Sequence, residues 1–257
     1  MKITLLGCGA APGVPSVSTG WGRCDPANPK NRRRRASILV EEGGTTLLVD
    51  TSPDLREQLL DAGVRHLDGV LFTHAHADHI HGLDELREVN RAMRGPIAVY
   101  GTTETLDVLK YRFAYAFEGI PEGKPIFRPW LIPHEIAPGR DIAVGAIRAT
   151  PYLQDHGYST TVGFRFADFA YSTDLISMPP ETKDAIRGVK LWVVSALQEP
   201  PHATHAGLAQ VLAWVKELTP GRTVLTHMSN DLDYSTLIER LLPAGVTPGF
   251  DGFAVEV

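Results

Sequence analysis

Residues 71–83, LFTHAHADHIHGL, constrain the fold more than any other stretch of the chain. The apolar run GVLFT before it reads as a short buried strand, and GLDELREVNRAM after it has the spacing of a helix. A strand end must therefore carry four histidines and an aspartate into a loop that turns toward a helix. In an extended chain alternate residues share a face, so His74, His76 and Asp78 point together. His79 joins them only if the backbone turns, and Gly82 with the helical pattern beyond it provides for such a turn. A polar surface loop explains one stray histidine but not H-x-H-x-D-H at a strand end. Imidazole and carboxylate in one cluster suit zinc, manganese or iron(II).

The rest of the chain alternates strands with helices. KITLLG is a strand, and ASILVEEGGTTLLVD is a hairpin about a Glu-Glu-Gly-Gly turn. SPDLREQLLDAGV reads as a helix with Ser52 as N-cap, Pro53 at the first position and Gly63 past the end. PIAVYG is a strand and ETLDVLKYRFAYAF a helix, followed by a Pro/Gly-rich span over 119–139. In the second half AIRATPY is a strand, TVGFRF and FAYSTD form a hairpin, and KLWVVSAL, RTVLTHMS and GFAVEV are strands. AGLAQVLAWVKEL and YSTLIERLL are the helices between them. Each half opens on hairpins and ends in helix–strand alternation. Two mixed sheets packed together with helices outside, in a single domain over 1–257, are expected.

Composition narrows the function classes. Apolar residues make up 43% and charged residues 21%, as in a soluble enzyme. The formal net charge of −5 offers no global basic field for nucleic acid. Two cysteines, Cys8 and Cys24, are too few for a disulfide framework or a four-cysteine zinc site. The opening MKITLLGCGAAPG lacks the pattern of a signal peptide, and no apolar run approaches the roughly 20 residues of a membrane span. A cytoplasmic protein without a membrane partner is expected, and a homodimer is compatible with the sequence.

THAHADH resembles the signature of the metallo-β-lactamase fold superfamily, whose αββα sandwich binds one or two metals at the edge between its sheets. The resemblance extends to LQDHG, AYSTD and VLTHMS, each at a strand end of the reading above. It implies that His74, His76 and His156 hold one divalent ion, Zn²⁺ or Mn²⁺. It implies that Asp78, His79 and His227 hold a second, with Asp174 bridging. Asp50, at the end of LLVD, resembles a carboxylate that supports a ligand from behind. His81 matches no ligand position and is expected to support the site.

Two ions about 3.5–4 Å apart share a water and lower its pKa from about 15.7 toward 7, which gives a hydroxide nucleophile at neutral pH. Asp174 stands where zinc β-lactamases tend to have a cysteine, and His76 where the diiron redox branch has a glutamate. His205, in PHATHAGLAQVLAW, matches a non-ligand histidine of the phosphodiesterase branch, where it would act as general acid toward the leaving alkoxide. His202 is expected to face solvent. The opening LGCGAAPGVPSVSTGWGRCDPANPKNRRRRASILV is PhnP-like, as are DHIHGLDELR and LTHMSNDLDY. Cys24 stands alone where several PhnP-like proteins carry a cysteine cluster, so no third, structural metal is expected.

GCGAAPG has neither the spacing nor the following helix of a dinucleotide loop, and Gly7, Gly9 and Gly13 are read as turn glycines at the site edge. Within Arg32–Arg35, Arg34 and Arg35 are candidate contacts for substrate phosphate. The resulting reading is a phosphodiesterase for a small cyclic phosphate or nucleotide-like diester, with phosphoribosyl 1,2-cyclic phosphate as the implied class. A tRNA 3′-processing endonuclease is the alternative, but no long Gly/basic arm is present and nucleic acid is a poor fit to the charge. A non-enzymatic metal-binding protein of a cofactor pathway is the third reading, for which His205 has no use.

Overall fold

A computed structural model describes residues 1–257. The first half runs β1 (Lys2–Gly7), β2 (Ser37–Glu42), β3 (Thr45–Val49), α1 (Leu55–Asp61), β4 (Gly69–Leu71), α2 (Ala77–Ile80), α3 (Leu86–Met93), β5 (Ile97–Gly101), α4 (Thr103–Arg112) and β6 (Leu131–Glu135). The second runs β7 (Ile142–Val144), β8 (Ile147–Asp155), β9 (Thr160–Phe166), β10 (Phe169–Ser172), α5 (Pro180–Ile186), β11 (Leu191–Ser195), α6 (Leu208–Leu218), β12 (Arg222–Thr226), α7 (Tyr234–Leu241), β13 (Val246–Pro248) and β14 (Ala254–Glu256).

Two seven-stranded sheets result, ordered β14-β1-β2-β3-β4-β5-β6 and β13-β12-β11-β10-β9-β8-β7. In the first, β1, β2 and β3 pair antiparallel and β3 to β6 parallel. The second repeats that plan, with antiparallel β7 to β10 leading into parallel β10 to β13. Strand alternation divides the core. Ile38, Val40, Leu47 and Val49 meet Phe164, Phe166, Phe169 and Tyr171 between the sheets. Leu39, Leu48, Val70 and Val99 face the other way, onto Leu55 and Leu59 of α1, Leu86 and Val89 of α3, and Leu106 and Leu109 of α4. On the second sheet the outer face is covered by α6 and α7 through Val211, Trp214, Leu237 and Leu241. This is the four-layer αββα sandwich.

Three points depart from the sequence expectation. The span 119–139 contains β6, which extends the parallel part of the first sheet. The terminal strand GFAVEV belongs to the first sheet, where β14 pairs antiparallel with β1. The helix after β3 starts at Leu55, because Ser52 Oγ accepts from the Asp54 N–H instead of capping a helix that begins at Pro53. No helix is long and apolar enough to cross a membrane.

Candidate metal centre

All the predicted ligands sit at one edge of the sandwich, past the C-terminal ends of strands. Asp50 follows β3, His74 lies beyond β4, His156 follows β8, Asp174 lies beyond β10, and His227 follows β12. The turn that His79 required is α2. His76 is its extended N-cap residue, and the single turn Ala77–Ile80 brings Asp78 and His79 round to the centre. Gly82 is needed there for close approach: a Cβ would fall 1.9 Å from the Ser52 carbonyl oxygen.

Two groups of side chains offer their ligand atoms within 4.8 Å of one another. One is His74, His76 and His156; the other is Asp78, His79, Asp174 and His227. A third such combination, His156, Asp174 and His205, brings His205 to the same centre. The rings of His74 and His76 are 4.5 Å apart between centroids, and those of His76 and His156 5.1 Å. His79 Nε2 lies 3.2 Å from Asp78 Oδ2 and 3.1 Å from Asp174 Oδ2, while His227 Nε2 lies 3.3 Å from Asp78 Oδ2 and 3.3 Å from Asp174 Oδ1.

A layer of hydrogen bonds behind the ligands fixes their ring tautomers. The fully buried Asp50 accepts from His79 Nδ1 at 2.7 Å, from the Thr73 N–H at 2.8 Å and from the Thr73 hydroxyl at 2.8 Å. Because that hydroxyl proton goes to Asp50, its oxygen accepts from His74 Nδ1 at 2.9 Å. His156 Nδ1 donates to the Thr204 carbonyl at 2.8 Å. The Nε2 atoms of His74 and His79 are buried without a hydrogen-bond partner. Orphaned imidazole nitrogens facing carboxylates are a donor set that fits divalent cations.

The charge balance agrees. Burial penalises a charged His79, but Asp78, Asp174 and Asp50 around it hold its pKa well above the ordinary histidine value. Burial likewise opposes ionisation of Asp174, yet His227 and His79 keep it well below the usual carboxylate range. His74 and His156 are pushed down, mainly by burial, which leaves neutral imidazoles. Backbone strain marks the same residues. Asp50, Asp174 and His227 adopt left-handed φ values of 63°, 54° and 51°, three of only six non-glycine residues that do so.

A cavity of about 390 Å³ opens onto this centre, lined by His76, Asp78, His156, Asp174, His205 and His227 together with Ala11, Tyr158, Ser159 and Thr204. His205 Nδ1 is 3.7 Å from Asp174 Oδ1 and buried without a hydrogen bond. Burial pulls its pKa down to about 3, against the opposing pull of Asp174, so its imidazole is neutral near pH 7. His202 is exposed, as expected.

Three expectations need correction. Arg34 is held by Asp251 and Asp61, and Arg35 by Asp54, so neither guanidinium lines the cavity. The run is divided by strand-like alternation: Arg33 points inward, donating to the Ser229 and Leu232 carbonyls, and Arg32 lies over Trp21. His81 is exposed and packs edge-on against Phe113, away from the ligands. Gly7 serves close packing and not a turn, since a Cβ there would lie 2.1 Å from the Arg35 carbonyl oxygen. Thr73, Thr204 and Tyr158 were missed, although each adjoins a predicted histidine or lies within two residues of one.

Residues 45–228 match the model of the beta-lactamase superfamily domain. A solved diphosphatase from the PhnP family is 32% identical, with 100% of this chain and 97% of that one aligned at a TM-score of 0.90. An octanoyltransferase from Porphyromonas gingivalis is 29% identical over 255 residues, 98% of this chain and 51% of that protein. A ribonuclease Z from a Bradyrhizobium species is 32% identical over 142 residues, 54% of this chain and 46% of that protein. The chain thus spans about half the length of the curated relatives it matches. With its sandwich, its ligand edge and its full-length likeness to that diphosphatase, the chain belongs to the metallo-β-lactamase superfamily, in the PhnP-like branch.

Proposed function

We propose that the chain is a metal-dependent phosphodiesterase that hydrolyses a small cyclic phosphate or nucleotide-like diester. The observation that carries this reading is the pair of adjoining ligand groups, all nitrogen and oxygen, in one cavity with His205. His74, His76 and His156 would hold one Zn²⁺ or Mn²⁺ ion, Asp78, His79 and His227 a second, and Asp174 both. When bound, such a pair supplies Lewis-acid charge for phosphate oxygens and an activated water.

The chain's own residues do the rest. Asp50, Thr73 and the Thr204 carbonyl hold the imidazoles in one tautomer, so the ligand nitrogens are set before substrate arrives. His205, neutral when the cavity is free, offers an N–H to a phosphate or leaving-group oxygen. It gains a full proton when an anionic diester beside it offsets the cost of burial. The internal engagement of Arg33, Arg34 and Arg35 removes the strongest basic run from RNA contact and favours a small substrate.

The test is turnover of bis(p-nitrophenyl) phosphate and 2′,3′-cyclic AMP by protein loaded with Zn²⁺ or Mn²⁺. Hydrolysis of either is expected; none with either metal sinks the reading. His205→Ala should lower kcat by about 10²–10⁴-fold at unchanged metal content. Loss of metal in that variant would make His205 a ligand. Cleavage of a phosphoanhydride is a second reading, favoured by the full-length likeness to a diphosphatase. Faster turnover of ADP than of both diesters would select it.

A further inference from the structure

The carbonyls of Thr173 and Asp174 fall beyond the β10–β11 ladder, which ends at Ser172, and both residues are buried. A buried carbonyl needs a donor, and two side chains supply them. The Thr161 hydroxyl donates to the Asp174 carbonyl at 3.0 Å. Gln154 Nε2 donates to the Thr173 carbonyl at 2.8 Å and to Thr161 Oγ1 at 2.9 Å. Because a carbonyl only accepts, the amide nitrogen of Gln154, and not its oxygen, must face Thr173. Both side chains are buried, and Gly163 leaves room for one of them: a Cβ there would lie 2.7 Å from Gln154 Oε1. The next residue of β9 reaches the other sheet, where the Val162 N–H donates to the Thr73 carbonyl at 3.0 Å, immediately before His74. The first residues of β9 therefore touch both the segment that carries His74 and the segment that carries Asp174.

We propose that Thr161 and Gln154 are positioning residues for the metal centre, which grip the peptide units on either side of Asp174 and so aim its carboxylate between the two ligand groups. The inference rests on the reading of Asp174 as a metal ligand. Asp174 has a left-handed φ of 54°, a conformation that an aspartate leaves unless its surroundings hold it there. Without the two side chains, a pair of buried carbonyls would lack donors and the peptide would rotate toward the extended region. The carboxylate would then leave its place 3.1 Å from His79 Nε2 and 3.3 Å from His227 Nε2. The Thr173 hydroxyl also donates to Asp174 Oδ2, at 2.6 Å, but it rides on the same peptide and cannot anchor it. The Val162 N–H ties β9 to the first sheet, so Thr161 holds Asp174 in place relative to His74 as well as to its own strand. Neither Thr161 nor Gln154 lines the cavity at the centre, and both act through Asp174.

Competition between the full-length chain and a chromogenic chelator for Zn²⁺ tests this, with the urea midpoint of each metal-free variant measured alongside. T161V keeps the shape of the side chain and removes the hydroxyl; Q154M removes the amide. Each should weaken Zn²⁺ binding by about 10–100-fold, whereas T161S, which retains the hydroxyl, should bind as the wild type does. I142A is the control for general destabilisation, since β7 is the edge strand of the second sheet and carries no ligand. It should lower the urea midpoint and leave Zn²⁺ affinity unchanged. Affinities in T161V and Q154M that match the wild type, or fall no further than in I142A, overturn the proposal. So does a T161S variant as weak as T161V. A wild-type chain that takes up no Zn²⁺ would instead overturn the metal-centre reading itself.

Discussion

Asp50 has no place in a ligand set, yet three hydrogen bonds converge on its carboxylate from the backbone and side chains that carry His74 and His79. Asp50→Ala should leave those rings free to turn. Metal affinity is expected to fall about 10–100-fold, as read by chelator competition, with the other ligands unchanged. An unaltered affinity would mean that packing alone orients the rings. Much at this scale was legible, because ligand types and spacing survive in a linear string. What was not legible depends on partners distant in sequence. Arg34 looks free until Asp251 folds back onto it from 217 residues away, and His81 looks like a ligand neighbour until a helical turn carries it outward.

Helix boundaries carry their own consequences. At Gly82 an added methyl would meet the Ser52 carbonyl, so Gly82→Ala should destabilise the protein by about 1–3 kcal/mol or more, measured by urea unfolding. It should also disturb the turn that presents Asp78 and His79. Farther away, Asp233 caps α7 by accepting from the Thr236 N–H at 2.9 Å. Partial burial opposes its ionisation, but the N–H groups of Thr236 and Asp25 hold its pKa down to about 2. Because this lies below the unfolded value of about 3.9, the contribution to stability is complete above that value. It is lost as pH falls through about 2. The stability gap between wild type and Asp233→Asn should therefore shrink between about pH 4 and pH 2. Long periodic elements such as α6 were readable from sequence. The short strands β6, β7 and β13 and the helix α5 were not, since three to seven residues carry too little pattern and are stabilised by their neighbours in the fold.

At the scale of the molecule the centre joins the two sheets. His74, Asp78 and His79 come from the first, and His156, Asp174 and His227 from the second. Metal that binds the folded chain and not the unfolded one should stabilise both halves together. Chelator-treated protein is expected to melt earlier in calorimetry than protein loaded with Zn²⁺ or Mn²⁺, with a single transition in each case. A melting temperature indifferent to metal would count against the centre. The two-sheet plan was visible as a repeated sequence of hairpins followed by helix–strand units. The seating of β14 on the first sheet was not, because its partner β1 lies at the opposite end of the chain.

The left-handed kinks at Asp50, Asp174 and His227 bear on any attempt to transplant this chemistry. A designer who copied only the side chains onto ordinary strand ends would aim them elsewhere, since each is launched from a backbone conformation that most residues avoid. Replacing any of the three by glycine should leave a more stable fold than replacing it by alanine, for glycine adopts positive φ without strain. The scaffold is therefore part of the reagent: three uncomfortable peptide units, restrained by two sheets, are what a grafted copy would have to reproduce first.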